Sequence, residues 1–291
     1  MKTRKLKIAY AFLLLMPVAA LLQTSCSDNE PDDVAAGQGN VEITANWDDY
    51  SEEAELPGSY TLAVAGIGEQ AMDTRTATFR SLLDAGTYEL AAYNTPANMT
   101  VDNLTATVAL HENGTLQQPG YLFSNTRIKS VVAEPGKTVK TSLKMKQRVR
   151  KLTLTLTPKG GDPAQLEATE LAAVLSGIAS TFNIATEELS EAKDIELVFK
   201  KQPSGSYSAT IYILGIVAEE KQELTFSLDL SLGRHYNFRG DLTDALKYFG
   251  NDIAPLSLKA RFELPGGIDG SGTILPWEPE FEDGPEDVEL H

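Results

Sequence analysis

The stretch Val139-Lys140-Thr141-Ser142-Leu143-Lys144-Met145-Lys146-Gln147-Arg148-Val149-Arg150-Lys151-Leu152-Thr153-Leu154-Thr155-Leu156 decides the architecture. Apolar residues alternate along both of its halves, which is the period of a half-buried strand, whose successive side chains point to opposite faces. In the first half the inward positions are odd, Val139, Thr141, Leu143 and Met145; in the second they are even, Leu152, Leu154 and Leu156. A one-residue shift exchanges the buried and exposed faces of a strand. One extended segment therefore leaves one core near Gln147 and enters another at Leu152, and the chain divides there into a sandwich over 40–148 and a second over 149–282.

The same alternation runs outward in both directions. Before the switch it marks Val41, Ile43, Ala45 and Trp47, then Tyr60, Leu62 and Val64, then Tyr88, Leu90 and Ala92. After the switch it marks Ile195, Leu197 and Phe199, then Ala209, Ile211 and Ile213, and then every second position over 224–232 and over 256–264. Short strands separated by Gly, Pro, Asn and Asp turns predict an all-β chain of two tandem antiparallel β-sandwich domains. Helix is scarce. Asp241 predicts the cap of a short turn over 242–249 stopped at Gly250, and Pro163 to Leu175 is a weaker helical candidate, interrupted by Thr169.

The 291 residues carry 25 basic and 41 acidic side chains, a net charge of −16. A chain this anionic repels phosphates, which argues against nucleic acid as a partner. At the amino end Lys2, Arg4, Lys5 and Lys7 precede an apolar run over 8–22, followed by Gln23-Thr24-Ser25-Cys26, the pattern of an export signal over 1–25. Those 15 apolar residues, at about 1.5 Å per residue, fall short of the roughly 30 Å hydrocarbon core, so the run is cleaved rather than kept as a span. The 266 residues that remain suit two domains at about 100–200 residues each. Cys26, the only cysteine, stands where a bacterial lipoprotein is lipidated, although Gln23 replaces the aliphatic residue usual three positions earlier. Several acyl chains at Cys26 give lasting attachment to the outer membrane, where a single chain is marginal. Residues 26–39 form an acidic linker after it, and 283–291 form an acidic tail. A lone cysteine also excludes a disulfide framework, so packing alone holds both domains.

Nine of the 21 basic residues left after cleavage fall between Arg127 and Lys151, against the single acid Glu134. Lys140, Lys144, Lys146, Arg148 and Arg150 share the parity opposite to Leu143 and Met145, so they are expected on one solvent-facing ribbon, either guarding a sheet against stray pairing or docking an acidic partner or anionic polysaccharide. The segment Glu278 to Glu289 has seven acids and no base, which reads as a solubilising tail. Chemistry-bearing patterns are weak. His111, His235 and His291 are scattered, Gly267-Ile268-Asp269-Gly270-Ser271-Gly272 lacks the Lys and Ser/Thr that end a phosphate loop, and no Gly-x-Ser-x-Gly elbow occurs. No catalytic residue, metal ligand or cofactor is expected. Asn98-Met99-Thr100, Asn103-Leu104-Thr105 and Asn113-Gly114-Thr115 match the N-glycan acceptor pattern but, behind a bacterial lipoprotein signal, read as polar strand and loop sequence.

Three phrases resemble a known family: Ala85-Gly86-Thr87-Tyr88-Glu89-Leu90 leading to Ala92-Tyr93-Asn94, Leu175-Ser176-Gly177-Ile178-Ala179-Ser180, and Leu275-Pro276-Trp277-Glu278-Pro279. They are similar to the fimbrillin superfamily of Bacteroidetes, and within it to the FimB-type fimbrillin-associated anchor lipoproteins, from Cys26 to about Glu280. The resemblance implies transthyretin-like sandwiches and a surface lipoprotein of a type V pilus, paired with pilin (fimbrillin) subunits by strand exchange. It also implies that C-terminal strands serve as donors, with Trp277 as an anchoring side chain and Gly266 to Gly272 as a hinge; against this stands the favoured reading of Trp277 as a buried ring that closes the core. Ser27-Asp28-Asn29-Glu30 resembles the surface-export tag of lipoproteins from the same phylum. Stalk subunits of the family are cut after a basic residue near the mature amino end. Here no Lys or Arg occurs from Ser27 through Thr74, where 12 acids do, and a cut at Arg75 would remove the strands around 41–47 and 60–64. The expectation is a non-enzymatic, lipid-retaining protein of the outer membrane and fimbrium that acts in anchoring, assembly or adhesion. The alternative is a surface glycan-binding lipoprotein of a nutrient-uptake system, with Tyr121, Tyr207 and Tyr248 as stacking residues.

Overall fold

The computed structural model describes residues 37–160, 166, 168–230, 234–264 and 270–280. In chain order its strands are β1 (Gln38–Asp49), β2 (Tyr60–Val64), β3 (Gly68–Met72), β4 (Thr76–Thr78), β5 (Leu83–Asp84), β6 (Gly86–Tyr93), β7 (Met99–Asp102), β8 (Thr105–Val108), β9 (Phe123–Asn125), β10 (Lys129–Ala133), β11 (Thr138–Gln147) and β12 (Arg150–Lys159). Then follow β13 (Glu170–Asn183), β14 (Leu189–Lys201), β15 (Tyr207–Ile213), β16 (Glu223–Leu230), β17 (Arg234–Asp241), β18 (Leu256–Glu263), β19 (Gly270–Ile274) and β20 (Glu278–Pro279). These form two domains, each around its own sheet, in an all-β chain.

The first sheet runs β3-β2-β6-β9-β11-β1-β4, with β10 on β6 and β5 on β1. Its core takes the alternate residues of β1, Val41, Ile43, Ala45 and Trp47, together with Leu143 and Met145 of β11. Trp47 closes that core edge-on to Tyr60 and Phe123, with ring centroids 5.9 and 5.5 Å away. The second sheet runs β14-β15-β12-β18-β19-β17-β16-β13, and β13 pairs back onto β14, so these strands close into a barrel. Leu152, Leu154 and Leu156 point into it. The change of parity along the decisive stretch is thus a change of core.

Among the described strands three pairings are parallel: β1 with β11, β12 with β18, and β17 with β19. Parallel neighbours need crossover connections rather than tight hairpins, and in each domain its first long strand lies beside a strand from near its end. The hairpin β7–β8 departs from the division read in the sequence. It pairs with β13, from Thr181↔Thr107 to Asn183↔Thr105, and puts Met99, Ala106 and Val108 into the second core. Alternation tells which face of a hairpin is buried, not which sheet it joins. β13 serves β16 with one part of its edge and β8 with another, across a register break between Leu175 and Ile178. Gly177 makes the break possible: its φ is +74° and a Cβ there would stand 2.5 Å from the Lys221 carbonyl oxygen.

The short turn expected after Asp241 is a single helical turn, Thr243–Leu246, with Leu242 and not Asp241 at its N-cap position, and a 3₁₀ turn at Phe249–Asn251 runs through Gly250 instead of stopping there. Asp241 Oδ1 accepts the Thr243 N–H at 2.8 Å. The helix expected from Pro163 to Leu175 is corrected: residues 163–165 lie outside the described residues, and the chain is strand from Glu170 onward. Leu171, Ala173 and Leu175 are all buried, so period-two burial in the barrel wall overrides local helix propensity.

Candidate functional site

The stretch that joins the two sheets is where the polar chemistry of the chain collects. On the exposed face of β11, Lys140 Nζ meets Glu42 Oε1 at 2.9 Å and Lys144 Nζ meets Asp49 Oδ2 at 3.3 Å. The parallel register brings the acids of β1 beside the lysines of β11. Exposed pairs of this kind contribute about 0–1 kcal/mol each, so they set complementarity more than stability.

Beyond Lys146 the expected solvent-facing ribbon ends. Gln147 is buried, its Oε1 accepting both the N–H and the hydroxyl of Ser51 at 2.8 and 3.1 Å, while its Nε2 donates to the Val149 carbonyl at 2.7 Å. Arg148 donates from Nε to Ser124 Oγ and from Nη2 to the Asn125 carbonyl, both at 2.9 Å, and from Nη2 to Glu187 Oε1 at 2.6 Å. Its guanidinium lies 5.0 Å from the Phe182 ring centroid. Arg150 is buried too, donating to the carbonyls of Ala254 and Phe249 and lying over the Phe249 ring. The expectation that both arginines face solvent is therefore corrected. As the strand leaves one sheet for the other, both of its faces become covered, and the former outward face is enclosed by the β13–β14 turn and the segment after the helical turn. Lys151 completes the joint with an ion pair to Glu53 at 2.8 Å.

Around this joint is a cleft of about 190 Å³ lined by Lys146, Arg148, Arg150, Glu187 and Asp252, with Phe249 at its wall. The N–H of Ala254, then that of Ile253, and the nearby cations hold the Asp252 carboxyl below its ordinary range against the opposing pull of burial. Burial lowers the Arg150 guanidinium against the attraction of Asp252, yet an arginine stays charged.

The other residues singled out in the sequence fall elsewhere. Cys26 and the export signal lie outside the described residues, as do His291 and residues 281–291 of the acidic segment. Trp277 is part of the barrel core, and its indole N–H is buried with no partner among the described residues. Of the suggested hinge, residues 266–269 lie outside the described residues, whereas Gly270 to Gly272 belong to β19, wedged between β17 and β18. Tyr207 is fully buried, its hydroxyl donating to the Ala168 carbonyl at 2.8 Å. Tyr121 packs against both cores with its ring edge-on to Tyr212, and burial pushes its phenol up to about 12. Only Tyr248 of the three is a freely exposed ring. His111 sits in a turn, its N–H donating to the Thr115 carbonyl, and His235 Nδ1 lies 2.6 Å from Asp229 Oδ1. Among the described residues no group of three or more His, Cys, Asp or Glu is gathered as a metal site, and no helix is long and apolar enough to cross a membrane. The sequence reading missed the buried bonds of Gln147, Arg148 and Arg150; their one trace is that these polar residues occupy the very positions where the parity changes.

No match was found among curated proteins. The fold is similar to the fimbrial anchor protein Mfa2 of Porphyromonas gingivalis, at 12% identity and a TM-score of 0.60 over 83% of this chain and 97% of that one. It is also similar to a candidate adhesin of Bacteroides ovatus, at 11% identity and a TM-score of 0.58 over 84% and 93%. A third structure, a candidate polysaccharide-binding protein of Bacteroides thetaiotaomicron, matches at 12% identity and a TM-score of 0.54 over 78% and 92%. The sequence signature of the fimbrillin-A associated anchor proteins Mfa1 and Mfa2 matches residues 45–283. With the match spanning most of the chain, and the strand and turn phrases of the sequence pointing the same way, the protein belongs to the family of fimbrillin-A associated anchor proteins.

Proposed function

We propose that the protein is a lipid-anchored surface subunit that holds a fimbrium to the outer membrane, with Cys26 as the acylated residue and β-strand pairing to fimbrillin subunits as the joint. The observation that carries this reading is the path from the anchor into the fold. Cys26 precedes Gln38, the first residue of β1, by 12 positions, and β1 is an inner strand bonded on both sides. Its ladder to β11 extends from Asn40↔Thr138 to Asn46↔Lys144. Tension applied at the amino end acts along that ladder, so its hydrogen bonds share the load instead of opening one after another. β11 then leads directly through the buried Gln147 and Arg148 into β12 of the barrel.

The absence of Lys and Arg from Ser27 through Thr74 favours a tether that basic-specific proteolysis leaves intact. At the ends of the first sheet's strand order, β3 and β4 each have one side unpaired among the described residues, where an added strand finds main-chain donors and acceptors. Of the three rings that glycan capture would use, Tyr207 is buried and Tyr121 packs against both cores, which leaves Tyr248 alone in solvent and favours the fimbrial reading. Replacing Cys26 with Ala is expected to move the protein from the membrane fraction to the medium and to let fimbriae detach. Crosslinking in cells followed by mass spectrometry is expected to recover a fimbrillin subunit. Membrane retention of the Cys26→Ala protein would overturn the anchor, and recovery of only a transporter would overturn the fimbrial joint.

A further inference from the structure

We propose that the cleft beside the β11–β12 crossing is a carboxylate-binding site and that its occupant is the chain's own acidic segment, 282–289. This inference stands apart from the anchoring reading and rests on the cleft, on the direction in which the chain leaves the barrel, and on charge.

The cleft has more cationic donors than its own acids use. Glu187 is taken by Arg148 at 2.6 Å, and Asp252 Oδ1 accepts the N–H groups of Ile253 and Ala254 at 2.6 and 3.0 Å. Lys146, half-buried on the cleft wall, has no ion pair among the described residues. Neither Arg148 Nη1 nor Arg150 Nη2 has an acceptor among them. Three cations thus face two carboxylates in a partly enclosed space, within a chain whose net charge is −16. A volume of about 190 Å³ admits one or two carboxylate side chains from an extended segment and excludes a folded module.

The chain leaves the barrel toward this cleft. β20 runs antiparallel to β18, with Lys259↔Glu278 and Leu258↔Pro279, and the Glu280 N–H donates to the Ser257 carbonyl at 2.9 Å. Continuing in that direction leads past Leu256 and Pro255 to Ala254, whose carbonyl accepts from Arg150. At about 3.3 Å per residue along a strand and about 4.8 Å between strands, Glu280 lies roughly 14 Å from Arg150. Eleven further residues, 281–291, could span at most roughly 36 Å, so reach is not limiting. They carry Glu282, Asp283, Glu286, Asp287 and Glu289 and no Lys or Arg. A carboxylate seated among Lys146, Arg148 and Arg150 neutralises the cations of the joint and covers its solvent side.

The test uses the lipid-free chain from Ser27 to His291 and a carbodiimide, which joins a lysine amine to a carboxylate only at contact distance. At low salt the expected product links Lys146 to a carboxylate among 282–289. It should form within one molecule when ¹⁴N- and ¹⁵N-labelled chains are mixed, and it should be lost in 1 M NaCl and in Lys146→Met. Lys146 makes no ion pair among the described residues, so that variant should fold as the parent does. A second measurement uses a chain ending at Glu280, which is expected to bind a synthetic 281–291 peptide at least tenfold more tightly than the longer chain does. Absence of a Lys146 link, links only between molecules, or equal peptide binding by the two chains would each overturn the proposal.

Discussion

Replacing Arg148 with Met should uncouple the two domains. The side chain is 8% exposed, so the thioether occupies the volume of the stem while the guanidinium bonds disappear. Two of those bonds go to Ser124 and Asn125, which are 0% and 1% exposed. Hydrogen bonds from a charged donor are worth about 1.5–3 kcal/mol each, and their removal strands buried acceptors. The pair with Glu187 adds only about 0–1 kcal/mol, because that carboxylate is solvated and screened. A net loss of about 3–5 kcal/mol follows, which at about 2–4 °C per kcal/mol for a protein of this size lowers Tm by about 6–20 °C. Each core contains one tryptophan, Trp47 in the first and Trp277 in the second. Urea unfolding followed by fluorescence in Trp47→Phe and Trp277→Phe backgrounds therefore reads the domains separately. The two transitions are expected to coincide with Arg148 in place and to separate in Arg148→Met. Coincident transitions with a Tm drop under about 3 °C would refute the argument and place the coupling in the β7–β8 hairpin instead.

Gly272→Ala would set a Cβ 1.9 Å from Phe238 Cε1, on a ring stacked 4.7 Å from Phe226; calorimetry is expected to show a loss of at least about 1–3 kcal/mol, and an unchanged Tm would mean that β19 packs differently. A chain of residues 40–148 alone would expose Met99, Ala106 and Val108, which the second core covers, so it is expected to aggregate or bind a hydrophobic dye, and a soluble monomer with dispersed amide signals would contradict this. The Thr243 hydroxyl and N–H hold the Asp241 carboxyl below its ordinary value of 3.8. Its contribution is then present above that pH and is lost as pH falls through the depressed folded value. Asp241→Ala is accordingly expected to be less stable than the parent at neutral pH, with the gap closing in acid, and a gap constant from pH 7 to pH 2 would rule the mechanism out.

Much of the architecture is legible in the sequence because burial in a sheet repeats every second residue. Val41 to Trp47, Leu152 to Leu156 and the odd-to-even change between Met145 and Leu152 identify strands, faces and two cores without reference to any contact. Pairing partners are a different matter. Nothing local to Met99–Val108 says that the hairpin joins the far sheet, and nothing local to Gln38–Asp49 says that it lies parallel to β11, since such pairings join residues distant in the chain. Pro163 to Leu175 reads as a possible helix because propensity acts on single residues, while the barrel wall imposes period two on Leu171, Ala173 and Leu175.

The candidate site shows the same division. Composition and order are readable from the residues alone: an anionic two-core β chain, a cationic stretch from Arg127 to Lys151, and an acidic segment after Trp277. Which of those cations remain in solvent depends on contacts between segments far apart in the chain. Lys140 and Lys144 stay on an open sheet face opposite the acids of β1, whereas Arg148 and Arg150, of the same parity, are enclosed by the β13–β14 turn and the segment around Phe249. Parity specifies on which side of a strand a residue stands, and burial depends on what the rest of the chain brings to that side.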